Sequence, residues 1–311
     1  MTLQQLRYFC EVVRQDLNIS KAAAALHVRR AGWLSAQQLG MYLLEQARRL
    51  GVRLESCEVE RVELSRGRVS GVVLGSGERI DCPVFVNAAG PFLKRVGTLL
   101  GIDIPVETEL HLKISFKDHL RVVDRAAPLM IWDDEQSLPW DAPEREALQA
   151  DPETSWLTES FPPGVHARPE GAGESQTILM LWDYAAKRAE PVFPLPTDEL
   201  YPEVALRGLA TMLPGLQRYF GRAPRPYVDG GYYVKTPENR LLAGPLPVDG
   251  AYVIGGLSGY GIMSCCAAGE LLAAHVAHLP LPGYAAAFSI DRYNDPAYRA
   301  ALAKVDSGGQ L

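Results

Sequence analysis

Residues 251–277, AYVIGGLSGYGIMSCCAAGELLAAHVA, decide how the chain is read. Tyr252, Val253 and Ile254 form a short apolar run that stops at Gly255 and Gly256, and from Gly261 onward alanine and leucine dominate for about four turns. A buried strand, a glycine turn and a helix in succession bring a helix N-terminus, with its unsatisfied amides and positive dipole end, up to whatever sits above Gly259, Tyr260 and Gly261. Glycines there accept positive φ and let a ligand approach the backbone. The same pattern also fits a tight strand-to-helix connection with nothing bound, and a lone glycine cluster does not separate the two.

The chain has 311 residues, an apolar fraction of 47% and a net charge of −6. That is enough for one large or two ordinary folded domains, and it carries no overall electrostatic footprint for nucleic acid or an anionic membrane. Cys10, Cys57, Cys82, Cys265 and Cys266 are scattered and form no C-x-x-C, which argues against a disulfide framework or a zinc site and for a reducing cytoplasm. No apolar run reaches the roughly 18 to 20 residues needed to cross a bilayer, and Arg7, Glu11, Arg14 and Asp16 interrupt any signal-peptide core. The expected location is cytoplasmic, with no membrane span.

At Ser35 a helix is predicted over 35–50, with Ser35 and Gln38 as a capping box, Leu39, Leu43, Ala47 and Leu50 on one face, and Gly51 as its stop. Strands at Val52–Val59, Val62–Leu64, Val69–Leu74 and Arg79–Val86 then read as a meander turning at Arg66-Gly67 and Ser76-Gly77. The last runs into Asn87-Ala88-Ala89-Gly90-Pro91, whose small residues leave room against the backbone or simply make a tight turn before a helix at Phe92–Leu100. Val106–Phe116 alternates as a strand with His111 and Lys113 on one face. No carboxylate at an orienting spacing marks His111 as a base, so it reads as a surface or partly buried strand histidine. Asp133–Gly173 lacks either period and reads as a long excursion anchored by Trp132, Trp140 and Trp156; its acidic run Asp133, Asp134 and Glu135 reads as solvated charge, since consecutive extended side chains do not converge on a metal. Thr177–Tyr184 is expected as a strand, Asp198–Met212 as a helix, and Pro296 as the start of a short helix. Tyr232 and Tyr233, beside two glycines, either line an apolar pocket or pack across strands, with Lys235 and Arg240 the cations close by.

Residues 1–28, MTLQQLRYFCEVVRQDLNISKAAAALHV, closely resemble the start of LysR-type transcription regulators, which implies two short helices of a helix-turn-helix. Where that family places its recognition helix this chain has Arg29, Arg30, Ala31, Gly32, Trp33 and Leu34. The part that reads DNA is absent, so nucleic acid is not the expected partner.

Five motifs in order, GWLS near Gly32, the meander, VNAAGP at 86–91, TPENRLLAGP at 236–245 and GGLSGYGIM at 255–263, are similar to FAD-dependent oxidoreductases of the D-amino-acid oxidase and glycine/sarcosine oxidase type. The resemblance covers about residues 32–293. It implies an α/β (α+β) fold with an FAD-binding Rossmann-like part and an antiparallel substrate part at about 105–235, within an oxidoreductase domain at 32–311. It implies FAD as cofactor, with Asn87, Ala88, Ala89, Gly90, Gly256, Ser258, Gly259, Tyr260, Gly261, Ile262 and Met263 along it, and Tyr232, Tyr233, Lys235 and Arg240 as candidates on the substrate side. The implied chemistry is hydride transfer from the CH–NH bond of a small amine or amino acid to flavin N5, with no metal. Two departures qualify the likeness. The family's opening G-x-G-x-x-G unit does not occur, so the Rossmann-like part is expected to be incomplete, truncated at its N-terminal side and impaired in holding FAD. Tyr233 also stands where many members present an arginine to the substrate carboxylate. The competing readings are a LysR-like DNA-binding regulator with a flavoprotein-like domain, and a non-catalytic fusion fragment.

Overall fold

The computed structural model describes residues 26–303, so the helix-turn-helix expected at 1–28 lies outside the described residues but for its last positions. The described chain divides into two compact units, one of residues 35–110, 187–191 and 232–303, the other of 26–34, 111–186 and 192–231.

In the first unit, helix α1 (Ala36–Arg49) starts where Ser35 places it, with Gln38 N donating to Ser35 Oγ at 3.2 Å; this is the N-cap half of the expected capping box. Its expected apolar face is only partly covered: no residue of α1 is fully buried, Leu39 and Ala47 are half-buried, and Leu43 and Leu50 are 45% and 87% exposed. Residues 52–58 belong to no helix or strand, so the strand expected from Val52 begins only at Val59. Strands β1 (Val59–Ser65), β2 (Arg68–Leu74) and β3 (Arg79–Asp81) form the antiparallel meander. Arg66 and Gly67, both at positive φ (54° and 81°), make the two-residue turn that matches the strand twist.

The strand expected over 79–86 is in fact two. Pro83, which has no amide to donate, lets the chain leave the meander, and β4 (Phe85–Asn87) joins another sheet. There it lies parallel to β13 (Ala251–Gly255), which is antiparallel to β12 (Leu242–Pro245). Leu242 and Val253 enter a core with Leu93 and Ile104, while Ala243 enters a second core with Ala268 and Leu271. Coverage of both faces is why residues 252–254 read as a continuous apolar run. Helix α2 (Leu93–Thr98) follows β4 through a 3-10 turn at Gly90–Phe92, and helix α5 (Gly261–Val276) follows β13 and packs on β12 and β13.

The second unit is built on a five-stranded sheet of order β11-β5-β10-β9-β6, where β5 is Glu107–Lys117, β6 Met130–Trp132, β9 Val165–Glu170, β10 Thr177–Leu181 and β11 Tyr227–Lys235. The unit boundary falls inside β5 and β11. Helix α4 (Tyr201–Met212) buries Val204, Ala205, Leu206 and Leu209 with Ile114, Phe116, Ile178 and Met180 of the sheet. Gly208 is required by contact, since a Cβ there would come within 2.2 Å of the Trp182 ring. The excursion expected at 133–173 holds more order than its composition suggests: β7 (Gln136–Ser137) pairs with β8 (Ser160–Phe161), and helix α3 (Ala142–Ala150) carries a capping box of Asp141 and Glu144. The mixture of Pro and acid that hid the helix period is its N-terminal signal. Trp140 and Trp156 do anchor the segment against the core. A short helix α6 (Pro296–Leu302) closes the described residues of the first unit.

Candidate functional site

The stretch 251–277 folds as strand, loop and helix within the first unit. β13 ends at Gly255; Gly256 (φ 66°) and Ser258 (φ 47°) take the left-handed conformations that turn the chain back, and Ser258 N donates to Val234 O at 2.9 Å. Tyr260 is pinned by its hydroxyl, which donates to Asn239 O at 2.6 Å. Gly259 lies against Tyr233 so closely that a Cβ would sit 2.6 Å from the ring. Helix α5 then starts with no side-chain cap and no acidic residue in its first turn. Its opening therefore keeps the positive dipole end for an anionic or electron-rich group. Ile262 and Met263, the first apolar side chains of the helix, are 42% and 71% exposed.

The 87–90 turn leaves β4, which is bonded to β13 through the Val253↔Asn87 pair. Both segments thus sit at the carboxyl ends of neighbouring parallel strands, the general position of ligands in such sheets. Asn87 is buried and its amide is spent on the turn: Nδ2 donates to Leu93 O at 2.8 Å and Oδ1 accepts from Ala89 N at 3.3 Å. Ala88 and Gly90, with φ 55° at the glycine, keep the outer side of the turn free of bulk.

Among the substrate-side candidates, Tyr233 backs the loop at Gly259, and Lys235 pairs with Glu109 at 2.6 Å with only 12% of its side chain exposed. Tyr232 is half-buried, and Arg240 is exposed with a long contact to Tyr298 Oη at 3.5 Å. Sequence reasoning singled out Arg240 in the TPENR motif and missed Glu238. That carboxylate pairs with Arg292 at 2.7 Å, both side chains nearly buried, and accepts from Tyr293 Oη (2.9 Å) and Tyr298 Oη (3.0 Å). Arg292 also donates to Arg240 O at 2.8 Å and Leu241 O at 3.2 Å, and Thr236 Oγ1 accepts from Arg240 N at 2.9 Å. Burial pushes the Tyr293 phenol well above its ordinary value; Arg292 opposes this and the hydrogen bond to Glu238 reinforces it. No local spacing could reveal a cluster whose halves lie so far apart in sequence.

In the second unit, the expectation for His111 is corrected. It is 4% exposed, and its Nδ1 lies 2.6 Å from Asp183 Oδ1, a partner beyond β10 that no spacing along β5 could disclose. Two positions on, Lys113 Nζ lies 3.1 Å from Asp229 Oδ2. Burial alone would raise the Asp229 carboxyl, but the Gly230 amide and Lys113 outweigh it and hold the group below its usual range. Among the described residues no group of three or more His, Cys, Asp and Glu is placed to hold a metal, and no helix is long and apolar enough to cross a membrane.

The family model of the FAD dependent oxidoreductases, DAO, matches residues 8–275, starting inside the stretch that resembles a helix-turn-helix. No curated sequence matches. Similar solved structures include L-proline dehydrogenase from P. horikoshii (18% identity, TM-score 0.60, covering 87% of this chain and 61% of that one). Iminodiacetate oxidase (IdaA) from Chelativorans sp. BNC1 gives 19% identity, TM-score 0.59, and coverage of 81% and 57%. Glycine oxidase from Geobacillus kaustophilus gives 17%, 0.59, and 82% and 58%. At these identities the likeness establishes a shared fold, and the chain spans about three-fifths of the length of those proteins.

Proposed function

The chain belongs to the FAD-dependent oxidoreductase family, whose cofactor is FAD, and from that premise we propose that the 256–263 loop and the 87–90 turn form the ring side of a flavin site in an enzyme acting on the CH–NH bond of a small amine or amino acid. The observation that carries this reading is the uncapped start of α5 beside the bulk-free turn after β4. These residues fit a flavin ring. The helix opening favours electron density at the ring edge, Gly256 and Gly259 admit close approach, and Tyr233 backs the loop. When bound, the flavin supplies the acceptor for a hydride from the carbon that bears the amine. Proline, iminodiacetate and glycine, after which the three similar enzymes are named, are amino acids or close kin, which supports that substrate class.

The fit ends at the ring. The sequence contains no G-x-G-x-x-G, so the described residues offer the FAD pyrophosphate no such cradle of amides. On this reading the chain holds flavin weakly and by the ring alone. Flavin fluorescence titrations of the purified chain with FAD and with riboflavin test it. Affinities within about tenfold of each other are expected, equivalent to less than ~1.4 kcal/mol from the dinucleotide part. Stoichiometric FAD surviving desalting would overturn the ring-only claim, and no binding of either flavin would overturn the site.

A further inference from the structure

Between α4, the core face of the five-stranded sheet and the 221–226 segment that leads into β11 lies a cavity of about 440 Å³, within the roughly 300–1,000 Å³ of small-molecule sites. Ile114 and Phe116 of β5, Met180 of β10 and Leu206 of α4 supply its apolar lining. All of its residues belong to the second unit, and none is part of the loop and turn proposed for flavin. Three prolines, Pro202, Pro224 and Pro226, stand in its wall. A proline brings no amide hydrogen that needs a partner and its φ is fixed, so the wall is apolar and stiff, and little ordering is left for a ligand to impose. Three charged side chains also line the cavity, and they differ in what they have left to offer. Glu203 is taken by Arg207 at 2.6 Å. Glu199 and Arg222 are exposed, and neither forms an ion pair among the described residues. Arg222 donates from Nε to Arg218 O at 2.6 Å, which leaves the two terminal nitrogens of its guanidinium for another acceptor. A carboxylate and a guanidinium that open on one apolar cavity match a molecule with an ammonium, a carboxylate and an apolar body; a simple amine or acid would engage only one of them.

We propose that this cavity binds a free amino acid with a large apolar side chain, its carboxylate on Arg222, its ammonium on Glu199 and its side chain against Ile114, Phe116, Met180 and Leu206. Such an occupant touches α4, the sheet and the 221–226 segment at once, so it braces three elements of one unit and stabilises that unit when bound. Glycine carries the two charges without the apolar body and gains little from the cavity. The site needs no flavin and stands apart from the oxidoreductase reading.

The test is calorimetric titration of the purified chain with L-phenylalanine, and with 3-phenylpropanoate, 2-phenylethylamine and glycine, which lack the ammonium, the carboxylate and the side chain in turn. L-phenylalanine is expected to bind at least about tenfold more tightly than each of the three, and to raise the thermal midpoint of the chain. Arg222→Met should erase its advantage over 2-phenylethylamine, and Glu199→Gln its advantage over 3-phenylpropanoate. Ala223→Trp, which puts a ring at the exposed edge of the cavity, should block binding altogether. All three positions are exposed, so these changes leave the core intact. L-phenylalanine binding that Arg222→Met and Glu199→Gln both leave unchanged overturns the assignment, as does a wild type that binds the four ligands equally or binds none. Flavin titration of the same samples is independent of this result: Arg222-dependent binding in a chain that takes up no flavin keeps this site and sinks the flavin reading.

Discussion

Glu238 and Arg292 form a nearly buried ion pair at 2.7 Å that fastens the 236–241 turn to the segment after α5. The turn in turn holds Tyr260 through Asn239 O, so the pair fixes the loop that the proposed flavin edge requires.

Removing one member leaves the other uncompensated. Glu238→Ala is expected to cost about 3–5 kcal/mol of stability, whereas the double change Glu238→Leu with Arg292→Met should cost distinctly less, since neither charge is then stranded. Urea denaturation of the three proteins decides this. A single-mutant loss below about 1 kcal/mol would show that the cluster is dispensable.

Gly259 has no room for a side chain because of Tyr233. Gly259→Ala should therefore weaken riboflavin binding by displacing the loop, at a local cost of about 1–3 kcal/mol. Adding Tyr233→Ala removes the obstructing ring and should restore part of the packing. Additive losses in the double-mutant cycle would refute the contact as the cause.

His275, near the end of α5, is held below its ordinary value of 6.5 by burial, and Gly244 lies against its Nε2. A depressed folded-state value means the unfolded chain takes the proton first, so stability is full above about pH 6.5 and declines as pH falls toward the folded value. Thermal midpoints measured from about pH 8 down to about pH 5 should show this drop in wild type and a smaller one in His275→Leu. Equal slopes would exclude His275 as the source.

Arg207 is stacked between Trp140 and Phe220, with ring centroids 3.8 and 4.3 Å away, and bonds Glu144 at 2.7 Å and Glu203 at 2.6 Å. Its hydrogen bonds hold the Glu144 carboxyl below the usual 4.5, so the stability it brings is present above that value and is lost as pH falls through the lower, folded-state one. Arg207→Met should both destabilise the second unit, by about 2 kcal/mol from lost stacking and pairing, and flatten its acid-unfolding curve. An acid limb as steep as in wild type would remove Glu144 from the explanation.

What the sequence disclosed was local. The N-cap at Ser35, the hairpin at Arg66-Gly67 and the strand–glycine–helix unit at 251–277 stand where their residues place them, because each is decided within one or two turns of chain. The partners of His111 and Glu238 stayed hidden because Asp183 and Arg292 reach them only through folding. Pro83 marked a strand end, but nothing in its neighbours said that β4 would leave the meander and lie parallel to β13. Helix α3 was obscured by the residues that cap it. Of the proposed flavin edge, the glycine loop was legible from conformational need, while the use of the Asn87 amide within its own turn was not.

Helix α1 buries none of its residues fully and so adds little to the fold of the first unit. A helix of 14 residues with none fully buried rests mainly on its own hydrogen bonds and its cap, with Leu39, Leu44 and Ala47 only half-buried, and isolated helices of that length are marginal in water. Its amides should exchange with solvent hydrogen far faster than those of α5, and opening it should cost the remaining structure almost nothing. Limited trypsin digestion should then cut among the exposed arginines between Arg29 and Arg53 and release the helix while the sheets beyond Val59 remain folded.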